Sequence, residues 1–231
     1  MNFFKPDAVK IGFKTYLGRA GILFLLLVAM EFADIPLGIL SEFKVNLVQT
    51  ILLGIAYIAA WTIVILLGYY YYQKLYKKPL HNLAKNDYIL IVTCYLVAMA
   101  LEHGLSYLNQ WLYHQTETQN DQAIQAIMDS NSASLVLMVI SVIIFAPICE
   151  ELLFRGLLIK GLLPNVNPNY AIVISGLVFS AMHQSSNVIS FAIYAVMGMS
   201  FAYAYVKTDR IEVSIALHML NNTVATVLNF I

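Results

Sequence analysis

The chain has 231 residues, 60% of them hydrophobic and 11% charged, with a formal net charge of zero and a mean hydropathy of +0.74. A soluble domain carries about 25% charge, so the composition excludes an ordinary water-soluble enzyme and points to a bilayer around most side chains. Zero net charge excludes little more, because a membrane protein is read from where its charges sit; no nucleic-acid partner is expected.

A membrane span needs roughly 20 apolar residues. Candidate spans in chain order are 20–40, 46–72, 88–108, 134–158, 169–186, 188–206 and 211–231. The first continues past Glu31 to Leu40 with no small-x-small cleavage site after a short core, so it reads as a retained helix rather than a signal peptide. The fifth is short, and its join to the sixth at 184–187 leaves room for a re-entrant or tilted segment. Lys5, Lys10, Lys14 and Arg19 precede the first span, and Lys74, Lys77, Lys78 and Lys85 fill the second connection. Lys160 follows the fourth span, and Lys207 and Arg210 sit between the last two. The connection 109–133 holds Glu117, Asp121 and Asp129 and no Lys or Arg, and of the basic residues outside the motifs only Lys44 falls on that side. The positive-inside pattern therefore predicts N-in, C-out.

Within 109–133, Ile124, Ile127 and Met128 recur at helical spacing, which predicts a short helix lying at the outer surface. Tyrosines 69–72 and Trp111 suit interfacial positions. Cys94 and Cys149 lie far apart in apolar runs and read as buried free thiols, too few and too distant for a disulfide framework or metal knot. No internal repeat, low-complexity tract or long linker divides the chain. The expected fold class is all-α, a polytopic membrane helix bundle of about seven transmembrane helices. It forms one integral domain in two parts, N-terminal helices with the outer connection at 1–133 and core helices at 134–231.

Three polar constellations interrupt the apolar segments of the second part: Glu150-Glu151-x-x-x-Arg155, Phe179-x-x-x-His183 and His218-x-x-x-Asn222. Ionisable groups are costly in a membrane and persist where they have a partner and a task. Glu151 and Arg155 share a helix face, with the glutamate on the N-terminal side, the better orientation for an ion pair. Glu150 projects about 100° away, so the two carboxylates occupy different surroundings and suit different protonation roles. Pro147, just upstream, is placed to kink the helix or open its backbone. Taken alone, the Glu151–Arg155 pair reads as a structural lock, His183 as a satisfied core histidine and Asn222 as interhelical glue. Together they exceed what packing needs.

The set suits peptide hydrolysis. A buried carboxylate can take a proton from water, an imidazole can orient that water, and an amide with a histidine N–H can donate to the oxyanion. Glu150, His183 and His218 are also chemically able to hold Zn²⁺ with water in the fourth position. No His-Glu-x-x-His helix is present.

With all three motifs in order on hydrophobic segments, and with Glu-Glu-Leu-Leu-Phe-Arg-Gly156 and Tyr205-Val-Lys-Thr208 in the flanks, the chain resembles the CPBP intramembrane proteases, the CAAX-protease and bacteriocin-processing (Abi) family. The similarity covers about 135–225. It implies an endopeptidase of the cell membrane, multi-pass and bacterial, cutting a membrane-associated peptide or small protein, with bacteriocin self-immunity or peptide maturation as the setting. Carried over, Glu150 activates the water with help from His183, and His218 and Asn222 bind the oxyanion. Glu151 and Arg155 shape the site and Phe179 packs beneath it. No cofactor is favoured, with Zn²⁺ the alternative the family allows. Two other classes compete: a non-catalytic immunity or scaffold protein, and a proton-linked transporter, the latter drawing on Glu31, Asp34, Glu102 and His103 in the first and third spans.

Overall fold

The computed structural model describes residues 11–77 and 79–228; Lys5, Lys10 and Lys78 of the charge pattern lie outside them. Eight helices follow in order: α1 (Phe13–Glu42), α2 (Leu47–Tyr76), α3 (Lys85–Tyr113), α4 (Gln119–Ser130), α5 (Ser132–Leu162), α6 (Pro168–Ala181), α7 (Val188–Thr208) and α8 (Ile211–Leu228). Six are long and apolar enough to cross a membrane. The exception among the expected spans is α6, whose 14 residues reach about 21 Å against a hydrocarbon core of about 30 Å. The expected fifth span 169–186 therefore shortens, because Pro168 starts the helix and the chain turns out of it at Met182.

Local sequence sets the ends. Asn46 and Gln49 cap α2 reciprocally, at 3.0 and 2.9 Å, and satisfy donors that no helical carbonyl can reach. Thr118 and Asp121 do the same for α4, and Asn187 with Ser190 for α7. Asn131 caps α5 through Ser134 N–H at 2.9 Å and donates to Leu40 O at 3.0 Å, which pins the end of α1 to the start of α5. Helix α1 is interrupted at Asp34, just ahead of Pro36, which has no N–H to continue the ladder.

Helix α7 is the hub, packed along α6, α3 and α8. Gly176 and Gly198 bring α6 against α7: a Cβ on Gly198 would lie 3.0 Å from Gly176 Cα and 2.9 Å from Phe179 Cδ1. Helices α1, α2 and α3 turn Leu25, Ile51, Leu66, Ile89 and Val97 outward, as a lipid-facing belt requires. Of the tyrosines at 69–72, Tyr70 is exposed, while Tyr72 is buried and stacks on Tyr76 at 5.1 Å, so only part of that run occupies an interfacial position. Cys94 and Cys149 are buried and free.

The charged connections gather at one end of the bundle. There Arg210 pairs with Asp87 and with Glu212 and donates to the carbonyls of His81 and Asn82, and Lys160 pairs with Asp209 at 2.6 Å. Helix α4 lies at the opposite end, with Ile127 and Met128 packed inward.

Candidate active site

Helix α5 carries the glutamates on an irregular backbone. Its turns widen at Ser141–Phe145 and again over Leu152–Leu162, flanking the regular turn Ala146–Glu151. The Ala146 N–H reaches back five residues to Ser141 O. Pro147 has no N–H for the carbonyls behind it, and the side chain of Asn222 fills the gap, its Nδ2 donating to Val142 O at 2.9 Å. Wide turns of this kind recur at functional sites because they re-aim side chains. Here they bring Glu150 and Glu151 against α8.

Glu151 and Arg155 are fully buried. Glu151 Oε1 lies 3.1 Å from Arg155 Nη1 and 3.0 Å from His218 Nδ1, while Oε2 accepts from Ser214 Oγ. Arg155 also donates to Gly198 O at 2.7 Å, and its guanidinium lies 5.0 Å from the Phe179 ring and 5.6 Å from Phe201. A buried charge survives only when paired and hydrogen-bonded. Glu151 is therefore the ionic hub that ties α5 to α8, and through Arg155 to α7.

Glu150 is only 8% exposed, and its Oε2 has no hydrogen-bond partner. It lies 3.9 Å from His218 Nε2. His218 is thus held between the two carboxylates, with Phe201 stacked on it at 4.3 Å. Because Glu151 accepts at Nδ1, that nitrogen carries the proton and Nε2 is turned toward Glu150.

His183 lies beyond the C-terminus of α6, in the turn that follows, not on the helix as expected. Its Nδ1 contacts Phe179 O at 2.8 Å, and its ring sits between Phe179 (4.4 Å) and Tyr194 (4.5 Å). A carbonyl only accepts, so Nδ1 donates and Nε2 keeps its lone pair. Phe179 is buried beneath both imidazoles, 5.7 Å from the ring of His218.

Glu150, His183, His218 and Asn222 line one cleft of about 350 Å³ that reaches toward α4. All of the sequence-predicted site residues thus converge: five, Phe179 among them, border the cleft, and Glu151 and Arg155 stand behind it. Three groups were not assigned to this site from sequence. Ser214 sits four residues before His218, a helical spacing that signals a shared face. Asp34 with its partner Trp61 (Nε1 to Oδ1, 3.0 Å) and Asp121 with Tyr194 (2.9 Å) also border the cleft, and no local pattern announces either.

Among the described residues, no three His, Cys, Asp or Glu side chains gather as a metal-holding group.

Fold and site define a class: a multi-pass helical membrane protein with a carboxylate–imidazole pocket sunk among its helices. Residues 132–224 match the family model described as "Rce1-like: Type II CAAX prenyl endopeptidase Rce1-like". The chain is 32% identical over 112 residues to "Putative membrane peptidase YdiL" of Bacillus subtilis (strain 168), an overlap of 48% of this chain and 43% of that protein. The chain thus spans less than half the length of the curated relative it matches. No solved structure matches it. The matched segment contains all three motifs.

Proposed function

We propose that this protein is an intramembrane endopeptidase that hydrolyses a peptide bond in a membrane-associated peptide or small membrane protein. The observation that carries the reading is the unpartnered Glu150 Oε2, buried in the cleft 3.9 Å from His218 Nε2. A water at about 2.8 Å from Oε2 would use that free acceptor. The Rce1-like match over the segment holding both residues supports the same reaction class.

In this mechanism Glu150 takes a proton from the water as its oxygen adds to the scissile carbonyl carbon. His183 offers its Nε2 lone pair to orient that water. The negative charge that forms on the carbonyl oxygen is met by Asn222, whose amide has one N–H on Val142 O and a second to give. His218 contributes when doubly protonated, with Glu151 holding the Nδ1 proton and Nε2–H directed at the oxyanion. Collapse of the tetrahedral intermediate breaks the C–N bond, and Glu150 returns its proton to the leaving amine. Glu151 and Arg155 position His218 without touching substrate.

The setting we favour is a bacterial plasma membrane, with bacteriocin self-immunity or maturation of a secreted peptide as the task. The test compares membrane-associated peptides, by mass spectrometry, from cells carrying the natural protein or Glu150→Gln. A peptide that accumulates uncut only with the variant names the substrate. Identical peptide profiles from the two, with both proteins present at equal levels, would leave a scaffold role as the better account.

A further inference from the structure

Glu31 and Asp34 take no part in the mechanism above, yet both border the cleft that holds Glu150. They stand at the break in α1, where Asp34 accepts the Trp61 indole N–H at 3.0 Å. That contact fixes the side chain without cancelling its charge. Asp121 enters the same cleft from α4. Among the described residues lining the cleft there is no Lys or Arg, and the nearby Arg155 is committed to Glu151.

The cleft therefore carries four carboxyl groups and no fixed basic counter-charge. Glu150 supplies a separate sign that something is to be received: it is 8% exposed, unpartnered at Oε2 and directed into this space. These carboxyl groups come from three helices, α1, α4 and α5, and no metal-holding group of three forms among the described residues. Spaced charges along a groove suit side chains of an extended peptide better than a single ion. Apolar walls focus such a field and raise the local concentration of cations.

We propose that the cleft selects a substrate segment carrying lysine or arginine beside the bond to be cut, with Asp34 and Glu31 as the residues that receive the positive charge. This rests on the endopeptidase reading and adds its substrate class. The two acids that the transporter alternative would use as a proton relay act here as a specificity wall.

The experiment uses the full-length protein in phosphatidylcholine vesicles, which have no net surface charge. The probes are N-acetylated apolar peptides of about 20 residues that differ only in one flanking pair: Lys-Lys, Gln-Gln or Glu-Glu. Binding is read by fluorescence anisotropy on Glu150→Gln protein, and cleavage by mass spectrometry on the unsubstituted protein. The Lys-Lys peptide is expected to bind about tenfold tighter than Gln-Gln, with Glu-Glu weakest. Adding Glu31→Gln and Asp34→Asn should shrink that preference to about twofold, and Asp34→Glu should retain it. Should the double variant fail to fold, salt provides the second measurement: the Lys-Lys advantage must fall as ionic strength rises while Gln-Gln binding holds. Equal binding of all three peptides, or a preference that both salt and the double variant leave intact, overturns the proposal. Charge-selective binding without cleavage of any peptide upholds the acidic wall and refutes the peptidase. Cleavage indifferent to flanking charge does the reverse.

Discussion

Two adjacent glutamates occupy opposite surroundings in this molecule. Glu151 is saturated by Arg155, Ser214 and His218, while Glu150 Oε2 has none of these donors. Substitutions at the two should therefore fail in different ways. Glu150→Gln, like His183→Ala and His218→Ala, is expected to lower turnover by about 10²-fold or more while the protein still inserts and elutes as a folded species in detergent. Glu151→Gln leaves the Arg155 charge buried without its counter-ion and should cost about 3 kcal/mol of stability. Thermal unfolding of the solubilised protein reads that loss directly, and a Glu151→Gln protein as stable as the natural one would show that the pair is dispensable. Glu151 and Arg155 were legible from sequence as a four-residue pair on one helix face. Ser214 was hidden, because its partner lies 63 positions away in the chain.

At the level of elements, Pro147 and Asn222 act as a unit. The proline interrupts the ladder of α5, and the amide from α8 takes the Val142 carbonyl behind it. Asn222→Ala is expected to cut turnover by about 10²-fold. In a Pro147→Ala background the further cost should be smaller, since a restored N–H can close the turn that Asn222 otherwise bridges; steady-state kinetics on the four proteins measures this coupling. The α6–α7 crossing is the other constraint. A side chain at Gly176 would meet Met199 Cγ at 2.5 Å and Ala195 O at 2.8 Å, so Gly176→Val must push the helices apart and drag Phe179 from under the imidazoles. The expected result is lower thermal stability together with lost turnover. Sequence reasoning gave the short fifth segment as the uncertain one and still put His183 on its helix. A turn after Ala181 carries the residue instead, since the contact of His183 Nδ1 with Phe179 O works from there as well.

For the whole molecule, the charge pattern predicts an orientation. The Arg210–Asp87–Glu212 and Lys160–Asp209 clusters occupy the end that the positive-inside pattern places in the cytoplasm. The cleft reaches toward the other end, beneath α4 and its acidic residues. Because both natural cysteines are buried, introduced ones report cleanly. A cysteine at Asn120 should react with a membrane-impermeant maleimide in intact cells, and one at Lys85 only after permeabilisation. The reverse labelling would invert the topology and put the cleft on the cytoplasmic side.

The helical class, the lipid-facing composition and the three motif groups were fixed by sequence alone, because hydropathy and four-residue spacing are local properties that survive without tertiary contacts. Which carboxylate stays free, how His218 is held between two acids, and the recruitment of Asp34 and Asp121 from distant helices were decided only by the fold. Those features depend on distances of 3 to 4 Å between residues far apart in the chain, and no periodicity along a single strand of sequence encodes a distance of that kind.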